Sequence, residues 1–306
     1  MDDIKIYKKI ELNAPVMLAG WPGMGSVAVN VVEYLQKKLN AVKFAQIQVD
    51  PLSTLDSVVV KDGLATLPPP PQNIFYYSKD PDLIIFEGES QIAGQGGIAL
   101  LNKVLDVALH FKVSAIYTGA AFPLPVSHSE TPQLYGAVNR KAIMPLLMRS
   151  GVLPMDVGHI SGLNGLILGF AKERNIDAAC LLATMPQYAI SLPNPKAAFA
   201  IIETLQKILG FKVNMLELGE YMKEMDEKMA LIEDKVKDVL TIEKEEHRPA
   251  QAEKKVPGYI VDKIENLFQD AKKDKTKAMI LKIELDRWDL YHTYEDRFLD
   301  LFKSTK

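Results

Sequence analysis

A glycine-rich turn is the segment best suited to bind a ligand. Residues 18–28 read LAGWPGMGSVA, and Gly20, Gly23 and Gly25 separate an apolar run from a helical pattern. Such a turn exposes backbone N–H groups at a helix N-terminus, where an anion can bind. The spacing G-x-x-G-x-G matches neither the dinucleotide motif nor a P-loop, because no lysine follows the last glycine. Alternatively, the glycines only allow a strand and a helix to approach closely.

Small and polar residues also follow other apolar runs. In an open α/β sheet the carboxyl ends of parallel strands form the crevice that holds ligands. If the strands are parallel, the ends of several runs converge beside the glycine-rich turn. The candidate ligand-binding residues of this crevice are Gly23, Met24, Gly25, Glu89, Gly119, Ser161 and Asn164.

Residues that could catalyse a reaction are scattered along the chain. The sequence lacks the G-x-S-x-G elbow of an α/β-type serine hydrolase. Ser161 lies two residues after His159, but no acid is aligned to complete a triad. His128 and Glu130 share the loop sequence PVSHSETPQ and are expected to be solvated. Cys180 lies in an apolar run and is expected to be a core residue. We therefore predict no catalytic set.

The composition limits the possible partners and cofactors. The 306 residues include 36 basic and 39 acidic ones, a net charge of −3, so neither nucleic acid nor an anionic membrane is an expected partner. One cysteine and five dispersed histidines predict no metal site. No apolar run reaches about eighteen residues, so no membrane span is predicted. Without a signal-peptide pattern, we expect a cytoplasmic protein that needs no cofactor.

Alternating patterns predict the elements that position these residues. Strand-like apolar runs occupy 16–19, 44–49, 57–61, 83–87, 115–118 and 178–183. Helical patterns cover 26–39, 98–110, 134–149, 162–174 and 195–209. This alternation is typical of a layered α/β fold with a largely parallel sheet. Segment 57–67, followed by four prolines, predicts an edge hairpin and a stiff loop, or else a segment that binds in a partner's groove.

A heptad pattern of apolar residues, the seam, follows the α/β region. It comprises Leu218, Met222, Met225, Met229, Ile232, Val236 and Val239. Flanking charges occur in the favourable order, with Glu224 before Lys228 and Glu233 before Lys237. Such a seam can contact another molecule or the chain's own domain. The candidate interface residues are Met222, Met225, Met229, Ile232 and Val236.

The chain divides into an α/β domain over 1–240, a polar linker over 241–258 and a helical extension over 259–306. The extension contains two amphipathic patterns, 259–272 and 277–302. Two helices cannot bury such apolar faces alone, so we expect them to dock on the body or on another subunit.

Three segments together resemble the proteasome-assembly-chaperone family, in particular prokaryotic relatives of the second subunit of the eukaryotic chaperone pair. They are AGWPGMGSVA, IYTGAA, and SGLNGLILGFAKERNIDAACLLATMPQY with PNPKAA, within a resemblance over about residues 8–240. The resemblance implies a three-layer α/β/α sandwich like that of purine nucleoside phosphorylases. It also implies a homo-oligomer that binds proteasome α-subunits without catalysis.

One family-related feature is missing from the printed sequence. Proteasome-docking proteins often end in a hydrophobic residue, tyrosine and any residue, whereas this sequence ends FKSTK. Activation-type docking on a finished proteasome is therefore not expected. The alternative function is an enzyme or binder acting on a small nucleoside-like or anionic ligand, either phosphorylase- or hydrolase-like or an ATP-grasp carboxylate–amine ligase. The magnesium carboxylates and glycine loop of the latter are not recognisable.

Overall fold

The computed structural model describes residues 3–49, 58–246, 258–273, 277–288 and 290–301. The chain forms two compact units, Met1–Leu240 and Thr241–Lys306. Of the described helices, none is long and apolar enough to cross a bilayer.

The first unit alternates strands and helices. Its strands are β1 (Ile4–Ile6), β2 (Val16–Gly20), β3 (Val42–Ile47), β4 (Val59–Lys61), β5 (Leu64–Thr66), β6 (Asn73–Lys79), β7 (Asp82–Gly88), β8 (Ala115–Leu124), β9 (Leu134–Val138), β10 (Leu153–Pro154) and β11 (Asp177–Pro186). Its helices are α1 (Val27–Lys38), α2 (Gly94–His110), α3 (Met144–Arg149), α4 (Leu163–Glu173) and α5 (Pro195–Leu209), and α6 (Leu216–Glu246) begins in this unit. The second unit contains α7 (Gly258–Lys273), α8 (Ala278–Arg287) and α9 (Tyr291–Asp300).

A mixed sheet forms the middle layer, in the order β1-β3-β6-β7-β2-β8-β11-β9-β10. The four central strands β7, β2, β8 and β11 are parallel, as the apolar runs predict. Antiparallel pairs flank them on both sides, so the prediction of a largely parallel sheet holds for this centre and, at one edge, for the short parallel pair β9–β10. β6 must run antiparallel to β7 because the connection between them is too short for a crossover helix.

Helices cover both faces of the sheet. Apolar residues of α2 and α4 share one core cluster with the strands, and those of α1 and α5 share the other. Neighbouring strand residues alternate between the clusters: Met17 contributes to the first and Leu18 to the second. The predicted three-layer α/β/α sandwich is confirmed.

The predicted helix over 134–149 is wrong in its first part. Leu134–Val138 forms β9, which pairs with β11, and α3 begins only at Met144. Leu134 and Gly136 are buried at a spacing of two, the period of a strand. Gly136 also lets β9 pack closely against the side chain of Val152, since a Cβ at position 136 would lie 2.9 Å from Cγ1 of Val152.

The C-terminal extension has a core of its own. The sequence predicts two helices, but the described residues contain three, because the second pattern divides into α8 and α9. Phe268, Leu281 and Leu285 are fully buried within this unit. Arg297 donates hydrogen bonds of 2.6 and 2.5 Å to the carboxylate of Glu265. The apolar faces therefore bury one another, which two helices could not do, and docking elsewhere is not required for this.

The predicted linker also begins differently. α6 continues to Glu246, so the first residues of the segment 241–258 are helical. Residue 258 already belongs to α7. Residues 247–257, the rest of the predicted linker, lie outside the described residues.

Candidate functional site

The glycine-rich turn leaves the carboxyl end of β2 and enters α1 through a short 3-10 helix, Met24–Ser26. Gly25 has φ = 63°, and a side chain there would lie 3.0 Å from Sδ of Met185. The N–H of Gly25 donates to the carbonyl oxygen of Ile190 over 2.9 Å. The N–H of Asn194 donates to the carbonyl oxygen of Gly25 over 2.8 Å. The N–H of Gly25 is thus used within the fold rather than offered to an anion.

Asn164, at the start of α4, holds this turn from the opposite side. Its Oδ1 accepts a hydrogen bond of 2.9 Å from the N–H of Trp21, and its Nδ2 donates over 3.0 Å to the carbonyl oxygen of Trp21. The hydroxyl of Thr118 donates over 2.7 Å to the carbonyl oxygen of Asn164. All three residues are buried. The Asn164 side chain therefore joins β2 and α4, while its main chain joins α4 and β8.

Gln91, after β7, adds a second link, which was not predicted from the sequence. Its Nε2 donates to the carbonyl oxygen of Pro22 over 2.6 Å. Its Oε1 accepts a hydrogen bond of 3.0 Å from the N–H of Leu163. The only sequence signal is its place just beyond a strand at the carboxyl edge of the sheet.

Two neighbouring cavities form the crevice at this edge. One of about 90 Å³ is lined by Gly23, Met24, Ala28, Gln91, Ala120, Ala121, Ile160, Ser161, Asn164 and Leu182. One of about 480 Å³ shares Met24, Gln91 and Ser161, and reaches Leu163 and Leu166. The linings consist of apolar side chains, glycines, amides and one serine. Such a surface recognises its partner by shape and apolar contact, with few hydrogen bonds.

The structure brings together only part of the expected crevice. Gly23, Met24, Ser161 and Asn164 line it. The remaining three candidates, Gly25, Glu89 and Gly119, make other contacts.

Gly119 and Glu89 lie elsewhere for different reasons. Gly119 faces α1 and α5 and is not part of the crevice lining, since a Cβ there would lie 3.4 Å from Cα of Ala28 and from Cδ1 of Ile201. Strand alternation causes this, because Gly119 is inside the long strand β8 rather than after it. Glu89 is exposed, and its carboxylate accepts a hydrogen bond of 2.6 Å from the N–H of Gln72.

The carboxylates of Glu33, Glu87 and Glu89 lie near one another at β7. Burial raises the pKa of Glu87, and the negative charges of Glu33 and Glu89 raise it further. Burial also raises the pKa of Glu33. Within the described part of the chain, no three His, Cys, Asp or Glu residues form a group that could hold a metal ion.

A buried carboxylate on α6 organises a second polar cluster, the Glu233 cluster, made of Ser127, His128, Tyr188 and Glu233. Glu233 is only 5% exposed. Its carboxylate accepts hydrogen bonds from the Ser127 hydroxyl at 2.9 Å, the His128 N–H at 3.0 Å and the Tyr188 hydroxyl at 2.6 Å. Nδ1 of His128 lies 2.6 Å from the same carboxylate. This cluster ties α6 to the loop after β8 and to the turn after β11.

The Glu233 cluster was not predicted from the sequence. His128 was expected in solvent, and Glu233 was expected to be a charge on the flank of the seam. Glu233 directly follows the seam residue Ile232 and lies four residues after Met229, so its position toward the apolar side was the available signal. Burial raises the pKa of Tyr188, and its hydrogen bond to Glu233 raises it further, so the phenol stays protonated and donates.

The seam itself contacts the chain's own body. Leu218, Met225 and Met229 are buried in the core cluster that α1 and α5 share. Met222, Ile232 and Val236 are partly exposed. Of the two flanking pairs of charges, Glu224 and Lys228 form an ion pair as the spacing predicts, with Nζ of Lys228 2.5 Å from Oε1 of Glu224. The within-chain alternative is thus realised for the buried seam residues, while Met222, Ile232 and Val236 retain exposed surface. The side chain of the seventh seam residue, Val239, lies outside the described part of the chain.

The model of the PAC2 family matches residues 17–233. Among curated proteins, the uncharacterized protein MJ1210 of Methanocaldococcus jannaschii is 27% identical over 223 residues, which cover 72% of this chain and 84% of that protein.

Two solved structures of Pyrococcus furiosus proteins are similar. PbaB, an archaeal proteasome activator, is 28% identical with a TM-score of 0.64, over 75% of this chain and 98% of that one. PbaA, an archaeal homolog of proteasome-assembly chaperone, is 19% identical with a TM-score of 0.59, over 77% of this chain and 99% of that one. The likeness to PbaA concerns the fold.

Proposed function

Because the chain belongs to the PAC2 family, we propose that it acts by binding other proteins, as an assembly chaperone does, rather than by catalysis. The observation that carries this proposal is the similarity to PbaB, which spans nearly the whole of that proteasome activator. We propose proteasome α-subunits as partners and self-association into a homo-oligomer as the working form.

The crevice supports this proposal by its chemistry. Met24 and Leu166 are each a little less than half exposed at its mouth, beside the buried side chains of Ile92 and Leu163. Methionine adapts its shape to a partner and is enriched at protein interfaces. Asn164 and Gln91 hold the glycine-rich turn that carries Met24, so the surface is formed before a partner binds.

Charge substitutions at the crevice mouth test the proposal. We expect Met24→Asp and Leu166→Asp each to weaken binding of purified proteasome α-subunits at least about tenfold, which corresponds to 1.4 kcal/mol. The cause is the desolvation of a carboxylate against an apolar surface. Isothermal titration calorimetry with α-subunits of the source organism measures the affinity.

Leu216→Asp is the matched control, because Leu216 is an exposed apolar residue on α6, 71% exposed, and outside the crevice. It should bind like the unmodified protein. The proposal is contradicted if the unmodified chain does not bind α-subunits at 100-fold the concentration at which a control pair of proteins binds. It is also contradicted if all three variants lose the same affinity for α-subunits.

A small-ligand binder is the second candidate. The cavity of about 480 Å³ lies within the range of about 300–1,000 Å³ that small-molecule sites occupy. If proteins are the partners, a thermal-shift screen with nucleosides, nucleotides and phosphate should give no change in Tm. A ligand at 100 times its Kd would stabilise the fold by about 2.7 kcal/mol, so a clear rise in Tm favours the small-ligand function instead.

A further inference from the structure

The hairpin β4–β5 presents apolar side chains on both of its faces. Val60 pairs with Ala65, and Val59 pairs with Thr66. One face therefore carries Val58, Val60, Ala65 and Leu67, and the other carries Val59, Lys61, Leu64 and Thr66. All five valine and leucine side chains are at least half exposed. This is an unusual amount of exposed apolar surface for ten consecutive residues.

The shape of the hairpin is fixed locally. Asp62 and Gly63 have φ = 52° and φ = 78°, as a type I′ turn requires, and Asp-Gly is a preferred sequence for that turn. The two strands form a sheet of their own, and neither outer edge pairs with a further strand in the described part of the chain. Because a two-stranded hairpin alone is marginally stable in water, pairing with a further strand would stabilise this one.

We propose that the outer edge of β4 pairs with β4 of a second copy of this chain, antiparallel and about a twofold axis at Val60. This inference rests on the homo-oligomer of the proposed function and assigns a surface to it. In a two-residue hairpin Lys61 and Leu64 hydrogen-bond to each other, so the N–H and C=O of Val60 face outward. Two such edges can then exchange both hydrogen bonds.

The β4 edge is better suited than the β5 edge. Residues 68–71 after β5 are prolines, which lack the N–H that a longer ladder needs. Val58, Val59 and Val60 are β-branched and favour strand pairing. We therefore expect the second copy to pair with the β4 edge and not with the β5 edge.

A second copy fits this edge better than an unrelated chain. Antiparallel pairing of a strand with itself is self-complementary and closed, so it covers the β4 edge of both copies and cannot propagate through that edge. Lys61 and Asp62 are the charged residues of 58–67 and cancel each other, so two hairpins do not repel. The joined sheet unites the Val58, Val60, Ala65 and Leu67 faces of both copies into one apolar surface.

A short cross-link across the twofold axis tests the geometry. Hydrogen-bonded antiparallel partners have Cα atoms about 5.5 Å apart, and their Cβ atoms are too far apart for an unstrained disulfide but well within reach of a short bismaleimide. Val60→Cys should therefore give a covalent dimer with a short bismaleimide, seen by denaturing electrophoresis. The native Cys180 does not interfere, because it is fully buried and burial raises the pKa of its thiol to about 12.

Leu231→Cys is the matched control, since Leu231 is 66% exposed and Val60 is 64% exposed. It should stay mostly uncross-linked. In light scattering, Val60→Lys should at least halve the mass of the unmodified protein, whereas Val60→Thr should keep it. Circular dichroism of the Val60 variants checks that substitution at this exposed position leaves the fold intact.

Other results of these experiments would overturn the inference. A single-chain mass for the unmodified protein, or equal masses and equal cross-linking for the position 60 and 231 variants, overturns the twofold pairing. If Val60→Lys keeps the mass but loses α-subunit binding, the hairpin binds a different protein and the inference is wrong. Calorimetry with α-subunits judges the proposed function separately from these masses.

Discussion

Replacement of Glu233 by alanine is expected to lower the free energy of unfolding of the α/β unit by about 3 kcal/mol. The truncation removes the acceptor that the Ser127 hydroxyl, the His128 N–H and the Tyr188 hydroxyl share. The three donors are partly buried, and the His128 N–H and the Ser127 hydroxyl keep second contacts with the hydroxyls of Tyr188 and Ser129. Each lost hydrogen bond to the carboxylate therefore costs about 1 kcal/mol, the low end of the range for a lost acceptor. Urea denaturation at pH 7, followed by circular dichroism, measures the loss.

Glu224→Ala is the matched control on the same helix. The Glu224 side chain is 61% exposed and pairs only at the surface with Lys228, so its removal should cost less than about 1 kcal/mol. Glu233→Gln should fall between the two, because the amide keeps one acceptor oxygen but turns its NH₂ group toward donors. Equal losses for Glu233→Ala and Glu224→Ala would show that the buried cluster does not stabilise α6.

The Glu233 cluster also fixes where α6 meets the body. The partners of Glu233 lie beyond the carboxyl ends of β8 and β11, while the seam residues Met225 and Met229 fill the core beneath. Loss of the carboxylate should therefore release the polar end of the contact before the apolar one. Hydrogen exchange in α6 should accelerate most around residue 233, which global unfolding alone would not produce.

The central part of the fold could be predicted because its signals are local. The apolar runs 16–19 and 83–87 coincide with the buried strands β2 and β7, and continuous burial on both faces leaves its mark within a few residues. The strand β9 was mistaken for a helix because Leu134–Val138 gains its burial from pairing with β11, about forty residues away. Tertiary pairing overrode the local helical pattern.

The candidate site was only partly predictable for a related reason. Sequence position indicates that Met24 and Ser161 follow or precede elements at one edge of the sheet, and both line the crevice. It does not indicate the direction of a residue inside an extended strand, and so it does not reveal that Gly119 lies against Ala28 and Ile201. Nor does it reveal that Asn164 reaches Trp21 across 143 residues.

The hydrogen bonds of Asn164 lead to the second large expected effect. Asn164→Ala should lower the free energy of unfolding by about 3 kcal/mol, because it leaves both the N–H and the C=O of Trp21 buried without a partner. Chemical denaturation monitored by tryptophan fluorescence suits this variant, since Trp21 lies at the altered contact and is fully buried.

Asn102→Ala provides the comparison for Asn164→Ala. Asn102 is a partly buried asparagine that accepts one hydrogen bond of 2.9 Å from Arg174, so its loss should cost about 1 kcal/mol. Equal losses for the two asparagine variants would mean that the turn keeps its shape without the amide. A larger loss for Asn164→Ala, together with weaker α-subunit binding by the folded variant, would tie the two roles together: the amide that holds Trp21 also holds Met24 in position at the mouth of the crevice.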